Sequence, residues 1–106
     1  MNNHPVLALI GLAERAGKIL HGEEPALHAI QSGTAQIVFL ASDAGLNTSK
    51  RIHDKCASHN IFLFDSFTGD ELAKSVGRVN RKVLSLVDKG FSRLMLSKIQ
   101  DSKKEV

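Results

Sequence analysis

The chain has 106 residues and a mass of 11.5 kDa, with 42% hydrophobic and 24% charged residues, which suits one soluble globular domain that needs no disulfide or metal staple. A formal charge of +3 and a pI near 9.3 favour a polyanionic partner. Cys56 is the single cysteine, which excludes an internal disulfide; the longest apolar run, Val6 to Ala13, falls far short of the ~20 residues of a membrane span, and with no secretory leader the expected location is the cytoplasm.

The first element, in HPVLALIGLAERAG, is a helix: Pro5 suits its first turn, Val6, Ile10 and Ala13 share one stripe, and Gly17 stops it. KILHG is a short strand. EEPALHAIQSG predicts a second helix that opens at Pro25, buries Leu27 and Ile30 and closes at Gly33. QIVFLA is apolar without alternation and reads as a strand covered on both faces. In GLNTSKRIHDKCASHN, Asn47 is the expected N-cap of a third helix with Ile52 and Cys56 at helical spacing, and IFLF follows as a second strand covered on both faces. Thr68 and Glu71 have capping-box spacing, with Phe67 and Leu72 placed as the hydrophobic staple, so a fourth helix runs to Gly77. KVLSLV alternates as a strand. DKGFSRLMLSKI stacks Phe91, Met95 and Ile99 on a last helix, leaving residues 1–100 as one domain and 101–106 as a polar tail that frays.

This order argues for an α/β fold with helices on both faces of a small sheet. Phe39, Phe62, Phe64, Phe67 and Phe91 are the only aromatics besides histidine, and all fall where a core needs them. An RNA binder of the open-sheet kind needs exposed aromatics on which bases stack, so that class is excluded, and any ligand must be held by loops and helix ends.

Residue types that carry catalysis are sparse. His53, Cys56 and His59 recur at spacings that a helix could gather for a metal, but a small buried thiol with solvated neighbours is the commoner reason for such a pattern, and no nucleophile elbow or phosphate loop is present. Glu23 and Glu24 lack a partner acid; ahead of Pro25 they suit the positive end of a helix dipole. Cations concentrate in two places. GRVNRK sets Arg78, Arg81 and Lys82 between the fourth helix and the last strand, and NTSKR sets Lys50 and Arg51 in the first turn of a helix, where they oppose its dipole. They form either a solvated basic surface or a surface that contacts phosphates.

The frame of Ala16, Gly17 and Lys18, then Gly22, then AIQSGTAQIVFLASDA, followed by NTSKRIHDKC, ELAKSVGR and VDKGF, resembles the kink-turn RNA-binding ribosomal protein superfamily, in its small bacterial YlxQ-type branch. The resemblance runs from about Val6 to Ile99. It implies a three-layer α/β/α sandwich with a central four-stranded mixed sheet, no enzymatic activity and no cofactor, metal or small-molecule substrate. It also implies a partner in structured or ribosomal RNA, held by the start of the second helix and the loop before the last strand. The motif of the family is glycine, any residue, asparagine or lysine, glutamate or glutamine, two residues, lysine. Here the glycine is Gly22, while Glu24, Pro25 and His28 occupy the three remaining named positions. Glu23 and Glu24 can accept hydrogen bonds from a guanine edge. The expected RNA surface comprises Lys18, Gly22, Glu23, Glu24, His28, Lys50, Arg51, Arg78, Arg81 and Lys82. The alternative is a protein-interaction adaptor of the same fold.

Overall fold

Helices alternate with strands throughout residues 4–104, the part of the chain that the computed structural model describes. The elements are α1 (Pro5–Arg15), β1 (Ile19–His21), α2 (Glu23–Ser32), β2 (Ile37–Leu40), α3 (Leu46–Ser58), β3 (Phe62–Phe64), α4 (Gly69–Ser75), β4 (Val83–Leu86) and α5 (Lys89–Lys104). The sheet order is β1-β4-β2-β3, with β4 antiparallel to both neighbours and β2 parallel to β3.

Alternation along the strands divides the core in two. Ile37, Phe39, Leu84 and Leu86 point to a layer with Val6, Ile10, Leu72, Met95 and Ile99 from α1, α4 and α5. Val38, Leu40 and Val83 point the other way, to Ala26, Ala29, Ile30, Ile52 and Cys56 of α2 and α3. The result is the expected three-layer α/β/α sandwich. Local signals set several boundaries. Thr68 and Glu71 form the reciprocal capping box, with Phe67 and Leu72 both buried behind it, and Gly33 ends α2 at φ 82°.

Other boundaries differ from expectation. α2 starts at Glu23 rather than Pro25, because Gly22 supplies the cap. α3 starts at Leu46 with Gly45 as its cap, so Asn47 lies inside the first turn and Lys50 and Arg51 fall in the second; the extended backbone of Gly45 presents its carbonyl to Ser49 N, 2.9 Å away, without any capping side chain. α4 ends at Ser75, and α5 continues to Lys104, into the segment expected to be a tail; residues 1–3 and 105–106, with the end of that tail, lie outside the described residues.

Two strands also depart. β3 is an edge strand at the margin of both helical layers, so Phe62 is 38% exposed and Phe64 half-buried, rather than covered on both faces. Phe64 still packs on Phe67 and Phe39, with centroids 4.9 and 6.2 Å away. Phe91 is likewise only half-buried. β4, despite its alternating sequence, is buried at all four residues because it runs between β1 and β2 with helices above and below. The Ser85 hydroxyl is consequently buried with no hydrogen-bond partner among the described residues.

Candidate functional site

The antiparallel register sets the end of β1 beside the start of β4, with His21 opposite Leu84, and the end of β2 beside the same point, with Leu40 opposite Val83. Gly22 N donates to Val83 O at 2.9 Å, and Ala41 N to Lys82 O at 2.8 Å. Three connections therefore meet at one end of the sheet: the turn into α2, the loop from β2 to α3, and the loop from α4 to β4. Gly22 makes the first possible. Its φ of 100° and ψ of 168° lie where side-chain-bearing residues rarely go, although a Cβ there would touch nothing closer than Pro25 Cδ at 3.8 Å. The demand for glycine is thus conformational and not one of space.

Neither α2 nor α3 receives a side-chain cap, so backbone N–H groups at both helix starts face this end. Glu23 and Glu24 fill the first turn of α2, as expected. Glu23 accepts from Thr48 Oγ1 at 2.7 Å and from Arg51 Nε, which staples α2 to α3. The Arg51 bond, then that from Thr48, holds the Glu23 carboxyl below the usual value, and Glu23 in turn raises the Arg51 guanidinium above its own. Glu24 and His28 lie further along α2, on an open groove of about 670 Å³ shared with Arg51, Asp54 and Lys55 of α3.

The cations of the α4–β4 loop all have partners. Lys82 Nζ lies 3.0 Å from Asp43 Oδ2 while Asp43 Oδ1 accepts from Gly69 N at 2.8 Å. The Gly69 bond first, and Lys82 second, pull the Asp43 carboxyl below its ordinary value. Arg81 Nε donates to His21 Nδ1 at 2.9 Å, and Arg78 Nη2 stands 3.9 Å from Glu14 Oε2. Lys50 pairs with Asp54 on the exposed side of α3. Lys18 stands apart: its carbonyl accepts from Val87 N, at the opposite end of β1 from Gly22. Of the expected surface, then, Gly22, Glu23, Arg51, Arg81 and Lys82 are joined through direct bonds or shared strands, Arg78 sits in the same loop, Glu24 and His28 extend the site along α2, and Lys18 does not adjoin it.

Sequence reading missed the acceptors of this network, Glu14, His21 and Asp43, and the donor Thr48, since each lies far along the chain from the residue that it meets. It also missed Leu46 and Val79, which are 85% and 75% exposed at this end; an apolar residue amid the charges of GRVNRK was the available signal.

The alternative chemistry at Cys56 has little support in the geometry. The thiol is 2% exposed, and burial pushes it up to about 11, while His53 faces Asp65 and His59 turns to Ser58 and the Lys55 carbonyl. Among the described residues no cluster of three or more histidine, cysteine, aspartate or glutamate side chains is placed to hold a metal, and no helix is long and apolar enough to cross a membrane.

Two bacterial proteins resemble the chain along most of its length. It is 40% identical over 92 residues to the RNA-binding protein YlxQ of Enterococcus faecium, covering 87% of this chain and 88% of that one. Against the RNA-binding protein YlxQ of Bacillus subtilis (strain 168) it is 34% identical over 89 residues, or 84% and 89% of the two chains. The solved structure of a protein with unknown function from Bacillus halodurans aligns at a TM-score of 0.87 and 38% identity, over 92% of this chain and 99% of that one. The Giardia lamblia 15.5kD RNA binding protein shares the fold, with a TM-score of 0.81 at 17% identity over 94% and 86% of the chains. The family model described as "Ribosomal protein L7Ae/L30e/S12e/Gadd45 family" matches residues 5–96, which takes in every element from α1 into α5. The chain belongs to the ribosomal protein L7Ae/L30e/S12e/Gadd45 family.

Proposed function

We propose that the protein binds structured RNA of the kink-turn type, in the cytoplasm and in association with ribosomal RNA, without catalysing a reaction on it. The observation that carries this reading is the meeting, at one end of the sheet, of two helix starts without side-chain caps and a cation-bearing loop. Its support from kinship is that two relatives are named RNA-binding proteins.

Each part has a distinct role. Backbone N–H groups at the starts of α2 and α3, with Arg51, Arg78 and Lys82, contact phosphates. Glu24, exposed in the first turn of α2, accepts from a guanine edge, while Leu46 and Val79 offer apolar contact to unstacked bases. The open-sheet mode of stacking is unavailable, since both faces of β2 and β4 are covered.

The test is a titration of the protein with a kink-turn RNA and with a fully paired duplex of equal length, across salt concentrations. The expected result is tighter binding of the kink-turn and an affinity that falls by roughly 0.7–0.9 logarithmic units per phosphate contact for each tenfold rise in salt. No measurable RNA binding at any salt would overturn the reading and leave a protein-binding adaptor.

A further inference from the structure

Arg81 is turned inward. Its Nε donates to His21 Nδ1 at 2.9 Å, and its Nη1 reaches back to the carbonyls of Val79 and Asn80 at 2.7 and 3.3 Å. Asn80 has a φ of 55°, in the left-handed region that costs a side-chain-bearing residue energy, so a brace on its carbonyl matters to the loop. Behind the imidazole, His21 Nε2 lies 2.8 Å from Glu14 Oε1, with both side chains largely enclosed, at 25% and 19% exposure.

Elementary donor chemistry fixes the state of this ring. A guanidinium has hydrogens to give and no acceptor, so His21 Nδ1 must present a lone pair; a carboxylate has only acceptors, so Nε2 must carry the proton. Both neighbours thus demand the same neutral tautomer, and a second proton on Nδ1 would face the Arg81 Nε–H donor directly. We propose that His21, oriented by Glu14, is a positioning residue that holds the α4–β4 loop in shape through Arg81. The inference deepens the RNA-binding reading and rests on it: the surface offered to RNA by this loop then depends on a relay that begins on α1. Arg81 acts first as the loop's brace, and Nη2, which donates no hydrogen bond among the described residues, remains for a phosphate.

Two measurements on the free protein and one on binding decide it. Nitrogen-15 spectra should show a protected Arg81 Nε–H with a coupling across the hydrogen bond to His21 Nδ1. His21→Phe keeps a ring and removes both nitrogens; amide exchange across residues 79–82 should quicken about tenfold, and affinity for the kink-turn RNA should fall several-fold. His21→Asn restores an acceptor at the Nδ1 position and should recover most of both losses. Should His21→Phe fail to fold, Arg81→Lys removes the fork outside the sheet and should loosen the loop in the same way. Absence of the coupling in the wild type, or an unchanged loop exchange in the variant, overturns the relay. If the wild type binds no RNA, the functional reading falls, and coupling with loop exchange still decides the relay.

Discussion

Lys82 is held over the amino terminus of α4 by Asp43, its ammonium 3.0 Å from Oδ2, and it lies so close to Gly69 that a methyl group there would come within 2.6 Å of Nζ. A cation of the proposed RNA surface is therefore masked by a carboxylate, and a residue without a side chain makes room for the pair.

Two substitutions unmask Lys82 by different routes. Asp43→Asn keeps an oxygen for Gly69 N and removes the charge, whereas Gly69→Ala pushes Lys82 aside without altering any charge. Both should tighten binding to paired and kinked RNA alike, and Asp43→Asn should steepen the salt slope by up to about one unit. Filter binding at three salt concentrations checks this; an unchanged slope would mean that Lys82 does not meet phosphate.

Acid should weaken the fold through Glu23 and Asp43. Each folded-state carboxyl is depressed, Glu23 by Arg51 and Thr48, Asp43 by Gly69 N and Lys82. A depressed carboxyl contributes stability that is present above its unfolded value and lost as pH falls through the folded one, here from about pH 4.5 downward. The urea midpoint of the wild type should drop over that range, and the doubly substituted Glu23→Gln, Asp43→Asn protein should show a shallower acid limb.

Phenylalanines 39 and 62 should part company. Phe39 is fully buried in the central strand β2, so Phe39→Ala should cost roughly 3–5 kcal/mol. Phe62 on edge strand β3 is 38% exposed, and Phe62→Ser should shift stability by only about 0.5 kcal/mol. Denaturant unfolding of the two variants separates them, and comparable losses would contradict the edge position of β3.

Cys56 should behave as a core residue. With its thiol pushed up to about 11 by burial, it should react with a thiol reagent only after unfolding, and Cys56→Ala should cost about 1 kcal/mol. Rapid labelling of the native protein at neutral pH would place it elsewhere.

At the second-helix motif, Glu24→Asn with His28→Lys supplies the residue types that the family motif names at these positions, on one exposed face of α2. Kink-turn affinity should rise by roughly 1–3 kcal/mol. Equal or tighter binding by the wild type would identify GEEPALH as a working variant of the motif.

What was legible in the sequence follows distance along the chain. Thr68 with Glu71, and Gly33 after Ile30, act within a turn of themselves, so α4's start and α2's end were readable. Gly45 caps α3 through backbone alone and leaves no side-chain signal, which is why Asn47 drew the assignment. The edge exposure of Phe62 and the burial of Ser85 depend on strand order, a property that no local pattern encodes. Half of the site was visible as cations; the carboxylates that answer them, Glu14 and Asp43, became apparent only once α1 and the β2–α3 loop were placed beside β4.

β4, the last of the four described strands, occupies an inner place in the sheet, and sixty residues separate His21 from the Arg81 that it meets. Closing so long a loop costs entropy before any contact repays it, which makes docking of β4 a late, non-local event in folding. A nascent chain that has emerged only as far as α4 has its second helix but no partner strand to hold Gly22, no brace for the loop and no lysine beside Asp43. Competence to bind should thus arrive in a single step, once β4 has docked, so that products truncated before β4 compete poorly for RNA with chains that contain it.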